Sequence, residues 1–365
     1  MAKKSNNVEV IYNAAVKKKS GTERSAYLAA ACGDDNVLRA RVETLLNARE
    51  QVGDYLEVPA VDSNVTLDNS PLLDGPGTKI GRYELLGQIG EGGMGLVYMA
   101  QQKKPVKRKV ALKIIKPGMD SKQVIARFEA ERQALAVLDH PNIAHVFDAG
   151  TTKTGRPYFI MEYVKGMSIT RYCDENKLGI EQRLRLFEQV CEGIHHAHQK
   201  GIIHRDIKPS NILVSVHGDR AVPKIIDFGI AKAVTQPLTE KTFVTFQGQL
   251  LGTPEYMSPE QVDMATQDID TRSDIYSLGV VLYELLAGVL PFDREAFASL
   301  GFAEVQRTIR EQEPDSPSIR LTNLGEKGKI IAASRDTHVV ALARRLHREL
   351  EWIPLKAMRK DRCRR

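Results

Sequence analysis

The chain has 365 residues, 42% of them hydrophobic and 27% charged, with a formal net charge of +6. That length and apolar share suffice to bury a sizeable core, which excludes a disordered or fibrous protein and fits one two-lobed domain with a smaller appendage. Much of the positive charge sits in 103–109 and in the tail 344–365, where a solvated or internally paired run accounts for it, so no nucleic-acid partner is expected. Cys32, Cys173, Cys191 and Cys363 lie far apart with no CxxC pair, which argues against a disulfide framework or a zinc site and makes a reducing cytoplasm the expected compartment. The start, MAKKSNN, lacks the apolar stretch of a secretory signal. The most apolar run, 275–292, carries Glu284 and is bounded by Asp274 and Asp293; it predicts a buried core helix, and no membrane segment is expected in the chain.

In chain order, the pattern predicts an N-terminal helical module over residues 1–51. Asp34 or Asp35 offers an N-cap, and Leu38, Val42, Leu45, Leu46 and Arg49 recur at helical spacing. Residues 52–78 shift to Asp, Asn, Ser, Pro and Gly without periodicity, which marks a linker. From 79 onward the patterns predict strands at 83–89, 97–101 and 110–115, a helix at 121–138, and strands at 144–149 and 158–163. Beyond Gly166 helical patterns dominate, notably 180–200 and 274–288. The prediction is an α+β domain over 79–365, with a β-rich N-lobe at about 79–164 and an α-rich C-lobe at about 165–365. A mixed polar stretch, 294–348, centred on EQEPDSPS, reads as an insertion or long loop.

Five constellations carry chemistry. The first is GEGGMGLV at 90–97, whose Gly90, Gly92 and Gly95 let a backbone approach phosphates closely. No helix follows it, which argues against a dinucleotide fold. The second is Lys113 in the apolar strand VALK; a lysine there needs an anion, and phosphates together with Glu131 of the next helix are the expected partners, set against a lysine simply reaching out at a strand end. The third, HRDIKPSN at 204–211, matches the pattern HRDxKxxN at every defined position. The fourth is Asp227-Phe228-Gly229, sixteen residues after Asn211 and directly behind a strand-like run. The fifth is GTPEYMSPE at 252–260, paired with KDRCRR at 360–365 near the end.

Together and in this order these motifs resemble the Hanks-type, or eukaryotic-like, serine/threonine protein kinases, with the likeness covering 79–365 and lying nearest to bacterial multidomain members. The resemblance implies the bilobal protein-kinase fold and transfer of the γ-phosphoryl group of ATP to protein hydroxyls in bacterial signal transduction. It assigns Asp206 to orienting and deprotonating the acceptor hydroxyl, Lys208 to the transferring phosphoryl group, and Asn211 and Asp227 to Mg2+, with Mn2+ as an alternative. It makes Lys113 and Glu131 an ion pair, Met161 the gatekeeper, Glu162 to Val164 the adenine-binding hinge, and Val97, Ala111 and Leu213 the walls around the ring. Leu135, His204 and Phe228 fall in an apolar stack that aligns the lobes, Asp274 tethers the catalytic loop, and Glu260 pairs with Arg365.

Lys208 and Thr253 favour Ser/Thr over Tyr specificity. The activation-loop candidates are Thr235, Thr239, Thr242 and Thr245, with autophosphorylation expected at Thr242 or Thr245. Expected partners are ATP and protein substrates, with a homodimer as one further option. His195 and His198, one turn apart on a helix, lack an acidic or cysteine partner in the sequence nearby, and metal binding there is set aside. Two other readings are a pseudokinase scaffold and a small-molecule kinase. The first is opposed by the presence of Lys113, Asp206 and Asp227, the second by the peptide platform at 252–260.

Overall fold

The computed structural model describes residues 76–92, 95–115, 137–228, 253–263 and 269–365, with Tyr27, Leu28, Ala31 and Cys32 from the N-terminal region. Contacts divide the chain into Met1–Pro71 and Leu72–Arg365, and all the elements named below belong to the second unit. Nearly all of the predicted N-terminal helices and of the linker, Met94, residues 121–136 of the predicted helix at 121–138, with Glu131 and Leu135, and the hydroxyls between 231 and 251 lie outside the described residues.

Six strands build the small lobe: β1 (Lys79–Ile80), β2 (Tyr83–Gly92), β3 (Gly95–Gln102), β4 (Arg108–Ile115), β5 (Val146–Thr151) and β6 (Pro157–Glu162). They pair antiparallel in the order β1-β2-β3-β4-β6-β5. Gly77 and Thr78, at the end of the predicted linker, already exchange backbone hydrogen bonds with Leu85. Strand alternation decides what each face does. Along β4, Val110, Leu112 and Ile114 join Tyr83, Leu85, Leu96 and Tyr98 in one buried cluster. Ala111 and Ile115 turn to the other face, where they pack with Ile143, Phe159, Met161 and Phe228. Lys113 shares the parity of Ala111 and Ile115, so the strand itself aims it at that second face. The sheet curls far enough to bring its ends together: Asp148 of β5 accepts hydrogen bonds from Arg82 (2.6 Å) and the Tyr83 hydroxyl (3.0 Å) at the start of β2.

The large lobe begins with β7 (Met167–Ser168), α1 (Ile169–Glu175) and α2 (Ile180–Gln199), followed by β8 (Ile212–His217) and β9 (Arg220–Ile225). The three strands form a second antiparallel sheet, β7-β8-β9. After the short α3 (Pro259–Val262) comes α4 (Thr271–Ala287), which is buried on nearly every side, as the apolar run at 275–292 predicts. Asp270 caps its start by accepting from the Arg272 N–H, and Gly288, at φ 72°, ends it in the left-handed region open to glycine. Among the described residues no helix is long and apolar enough to cross a membrane.

The stretch 294–348 is not a long loop. It holds α5 (Arg294–Ser299), α6 (Phe302–Glu311), α7 (Pro317–Thr322), α8 (Glu326–Ala333) and α9 (Val339–Arg345), then a wider π turn, Leu346–Leu350, and α10 (Trp352–Ala357). Its polarity misleads because each helix buries only one or two apolar residues per turn. Val305 and Ile309 are buried four residues apart, as are Leu342, Leu346 and Leu350, the latter set against Leu282 and Leu286 of α4. EQEPDSPS is simply the bend between α6 and α7, with Pro317 at the first helical position.

Arg335, 2% exposed, fastens these helices to α4. Its guanidinium donates to the last carbonyls of α4, those of Glu284 (3.3 Å), Leu285 (2.8 Å) and Leu286 (2.8 Å), as well as to Ile331 O and Ser334 Oγ. Burial first, and then the neighbouring Arg183, pull its pKa down to about 10. An Arg335→Met chain keeps the volume but orphans several buried carbonyls, so a loss of at least about 2 kcal/mol is expected in denaturant unfolding; a change under about 0.5 kcal/mol would show that the clamp carries nothing.

Candidate active site

Asp274, in the first turn of α4 and 1% exposed, organises the loop between α2 and β8. Its Oδ2 accepts from His204 N and from His198 Nε2, both at 2.8 Å, and its Oδ1 accepts from Arg205 N at 2.8 Å. These bonds hold Arg205 in the left-handed region at φ 66°, a conformation a non-glycine residue keeps only when its surroundings fix it. His198 is thereby engaged by a carboxylate that sequence proximity does not reveal. No group of three or more His, Cys, Asp or Glu side chains placed to hold a metal occurs among the described residues.

The turn delivers Asp206, Lys208 and Asn211 to one point. Lys208 Nζ lies 2.9 Å from Asp206 Oδ2 and 3.4 Å from Thr253 Oγ1. Asn211 Nδ2 donates to the Asp206 carbonyl at 2.8 Å and to its carboxylate at 3.1 Å. Two residues that sequence reasoning missed support this arrangement. Gln261 Nε2 donates to Arg205 O (2.8 Å) while its Oε1 accepts from Ser258 N (3.0 Å), so α3 is stitched to the loop. Asn142, 4% exposed, donates to Pro223 O (2.8 Å) and accepts from Ile225 N (2.8 Å), which fixes β9 just before Asp227.

On the opposite side of the cleft Lys113 forms an ion pair with Asp227; Glu131, its expected partner, lies outside the described residues. Asp227 stands in the left-handed region at φ 61°, directly after Ile226, whose N–H donates to Asn211 O (2.9 Å). Val97 lies opposite Lys113 in the β3–β4 register and Ala111 opposite Met161 in the β4–β6 register. Val97, Ala111 and Met161 belong to one apolar cluster with Phe228. Leu213 lies on β8 opposite Lys224, and Val164 is half-buried between β6 and β7. The carboxylate of Glu162, whose backbone was expected to bind adenine, accepts from Lys224 Nζ (2.8 Å) and from His145 N (3.3 Å), linking the hinge to β9.

The motif glycines divide. A Cβ on Gly95 would stand 2.4 Å from Ile114 O, so the packing of β3 on β4 alone demands glycine there. A Cβ on Gly90 would meet only Val97 Cβ at 3.8 Å, ordinary contact, and Gly92 pairs with Gly95 at the end of the hairpin. Asp227 and Asn211 present a carboxylate and an amide carbonyl. These are hard oxygen donors that suit Mg2+, which takes one or two protein ligands when nucleotide phosphates complete its shell. The Asn211 amide nitrogen faces Asp206, which leaves its oxygen for such a cation.

His204 is fully buried, its ring 4.6 Å from that of Phe228. Nε2 lies 3.1 Å from Ile226 O and Nδ1 accepts from Asp206 N at 3.2 Å, a pattern that only the neutral Nε2–H tautomer satisfies. Burial lowers its pKa below the usual 6.5 despite nearby carboxylates. The folded chain therefore keeps this ring neutral at pH values where the unfolded chain protonates it. Protons are taken up on unfolding, so stability present above about pH 6.5 is lost as pH falls through that value toward the folded pKa. Unfolding midpoints between pH 7.5 and 5.5 should fall in the wild type and fall less in His204→Phe; equal slopes would remove His204 as the cause.

Below the loop, Glu260 Oε2 accepts from Arg365 Nη2 at 2.8 Å, its Oε1 accepts from Arg365 Nη1, and Ser273 Oγ donates to Oε1 at 2.7 Å. Tyr256 donates its hydroxyl to Glu284 Oε2 at 2.6 Å. The structure thus brings together Asp206, Lys208, Asn211 and Thr253, Lys113 and Asp227, and Glu260 and Arg365.

A curled sheet over a helical lobe, with a lysine–aspartate pair at their junction and a carboxylate on a rigid turn, is the bilobal protein-kinase architecture that the motifs imply. Residues 83–332 match the protein kinase domain, and the chain belongs to that family. It is 40% identical over 243 residues to the serine/threonine-protein kinase PrkC of Bacillus subtilis, covering 66% of this chain and 35% of that protein. It is 35% identical over 274 residues to the serine/threonine-protein kinase Pkn1 of Myxococcus xanthus, covering 74% of this chain and 37% of that one. The chain thus spans little more than a third of the length of these relatives. The crystal structure of the Mycobacterium tuberculosis PknI kinase domain shares the fold, with a TM-score of 0.50 at 24% identity over 75% of this chain and 98% of that one.

Proposed function

We propose that the chain is a bacterial serine/threonine protein kinase that transfers the γ-phosphoryl group of Mg-ATP to protein hydroxyls in the cytoplasm. The observation that carries this reading is the meeting of Asp206, Lys208, Asn211 and Thr253 at one point on a loop fixed by Asp274. Mg-ATP, when bound, supplies the phosphoryl group and the cation that offsets its charge. Gly90, Val97, Ala111, Met161, the Glu162 and Val164 backbone and Leu213 would hold the nucleotide, with Lys113 facing its phosphates and Asp227 and Asn211 the metal. Asp206 orients the acceptor hydroxyl and takes its proton. Lys208, already beside Asp206, places a positive charge where the transferring group gains negative charge. Thr253 holds Lys208 and closes the site on the side of the acceptor. Autophosphorylation at Thr242 or Thr245 would supply an anion for Arg205 and order the platform.

The test is transfer of labelled γ-phosphate from Mg-ATP to the chain and to a generic protein acceptor, followed by phosphoamino-acid analysis. Phosphoserine or phosphothreonine supports the reading. A folded, ATP-binding chain that transfers nothing, even after its activation loop has been phosphorylated by another kinase, replaces it with a scaffold.

A further inference from the structure

We propose that Gln261 is a positioning residue for phosphoryl transfer: its amide holds the Arg205–Asp206 peptide in the orientation that aims Asp206 at the acceptor hydroxyl, so that the reaction depends on the docking of α3 against the catalytic loop. This rests on the kinase reading and adds to that site a residue that none of the five motifs contains.

Arg205 stands at φ 66°, a backbone state that a residue with a side chain keeps only where its surroundings hold it there. Asp274 Oδ1 takes the Arg205 N–H at 2.8 Å, His204 Nδ1 takes the Asp206 N–H at 3.2 Å, and Gln261 Nε2 donates to the Arg205 carbonyl at 2.8 Å. The last two bonds grip the two ends of one peptide plane, the plane that leads into Asp206 and sets the direction of its side chain. His204 and Asp274 belong to the buried interior of the large lobe. Gln261 is the grip that arrives from α3, in the segment that follows Thr253.

Ser258 and Gln261 have the S-x-x-Q spacing of a capping box, and a helix cap is the ordinary account of such a glutamine. Capping uses only half of the amide: Oε1 accepts from Ser258 N at 3.0 Å, a task that a glutamate carboxylate performs equally well. The Nε2 donor is what a carboxylate lacks. Turning the amide over would set its nitrogen against the Ser258 N–H and its oxygen against the Arg205 carbonyl, so the two bonds together fix which end is which. Helix α2 supplies the comparison. There Gln182, an exposed residue, accepts from Gly179 N at 3.1 Å in the same capping position, and its nitrogen has no hydrogen-bond partner among the described residues.

The experiment uses the whole chain and follows a single turnover of labelled γ-phosphate from Mg-ATP to a protein acceptor, so that product release does not mask the chemical step. Gln261→Glu keeps the cap and replaces the donor to Arg205 by a second acceptor. Its transfer rate should fall by about ten- to a hundredfold, the scale on which small misplacements of a reacting group act. The KM for ATP, from steady-state runs, should stay within about twofold of wild type, and the unfolding midpoint within about 2 °C. Gln182→Glu, the same change at a cap that touches no residue of the site, should transfer at the wild-type rate. Where the introduced charge unfolds the chain, Gln261→Met takes its place, and the same loss of rate is expected from it. A wild-type rate in either folded variant reduces Gln261 to a helix cap and overturns the proposal, as does a loss confined to the KM for ATP or one that Gln182→Glu shares. In all of these outcomes the wild type transfers phosphate and the kinase reading stands. A folded, ATP-binding wild type that transfers none removes that reading and this proposal together.

Discussion

Asp206→Asn is expected to lower phosphoryl transfer by about 10²–10⁴-fold, the range in which a positioned general base acts, with kcat falling far more than the KM for ATP rises. The substitution keeps the shape of the side chain but removes both the proton acceptor and the charge facing Lys208 at 2.9 Å. The Asn211 bond to the residue-206 carbonyl can persist, so the loop should stay in place. Lys113→Met should cost a comparable factor by another route. It removes the cation that β4 aims into the cleft and leaves Asp227 without its ion-pair partner. Label incorporation at saturating Mg-ATP measures both; transfer within tenfold of wild type in either variant would strip that residue of its role.

The second large effect concerns stability. Arg365→Met is expected to destabilise the fold by about 3–5 kcal/mol, a fall of about 10 °C in Tm, because removing one partner of a buried pair leaves the other uncompensated. The Arg365 side chain is fully buried and Glu260 is 9% exposed. The guanidinium also donates to Arg359 O (2.8 Å), Arg272 O (3.1 Å) and Lys360 O (3.3 Å). Burial alone would raise the Glu260 pKa, but the hydrogen bonds from Arg365 and Ser273 outweigh it and hold the carboxyl below its usual 4.5. Its contribution is therefore present above that pH and is lost as pH falls through the folded value. The double variant Glu260→Gln with Arg365→Met should be milder than the sum of the two single changes, since no lone charge remains buried. Strict additivity in thermal unfolding would mean that the pair is not coupled.

Much of this architecture is written locally. Five of the six small-lobe strands follow from alternation, and α2 and α4 from helical spacing and apolar runs. The chain-order motifs point to residues that do converge in space, because HRDIKPSN packs its working groups within eight positions. What escapes is of two kinds. Short elements such as β1 and β7, two residues each, offer no period to detect, and the helices of 294–345 bury so little per turn that their sequence looks like loop. The other kind is the long-range polar contact. Gln261 reaches Arg205 across 56 positions and Lys224 reaches Glu162 across 62; a glutamine or lysine that stabilises a catalytic frame has the same one-dimensional appearance as one that faces water. The π turn at Leu346–Leu350 is equally silent, since its apolar spacing also fits an α-helix.

Gly95 shows how a functional motif can mix two kinds of constraint. The carbonyl of Ile114 forbids a side chain there whether or not a nucleotide ever visits the cleft. A descendant that had abandoned phosphoryl transfer would still be confined to glycine at 95 for as long as β3 lay on β4. At 90 no neighbour among the described residues enforces such a ban, so drift to alanine or serine would be among the first marks of an idle enzyme. The two positions carry different diagnostic weight: glycine at 95 certifies the sheet, and glycine at 90 is evidence for a ligand.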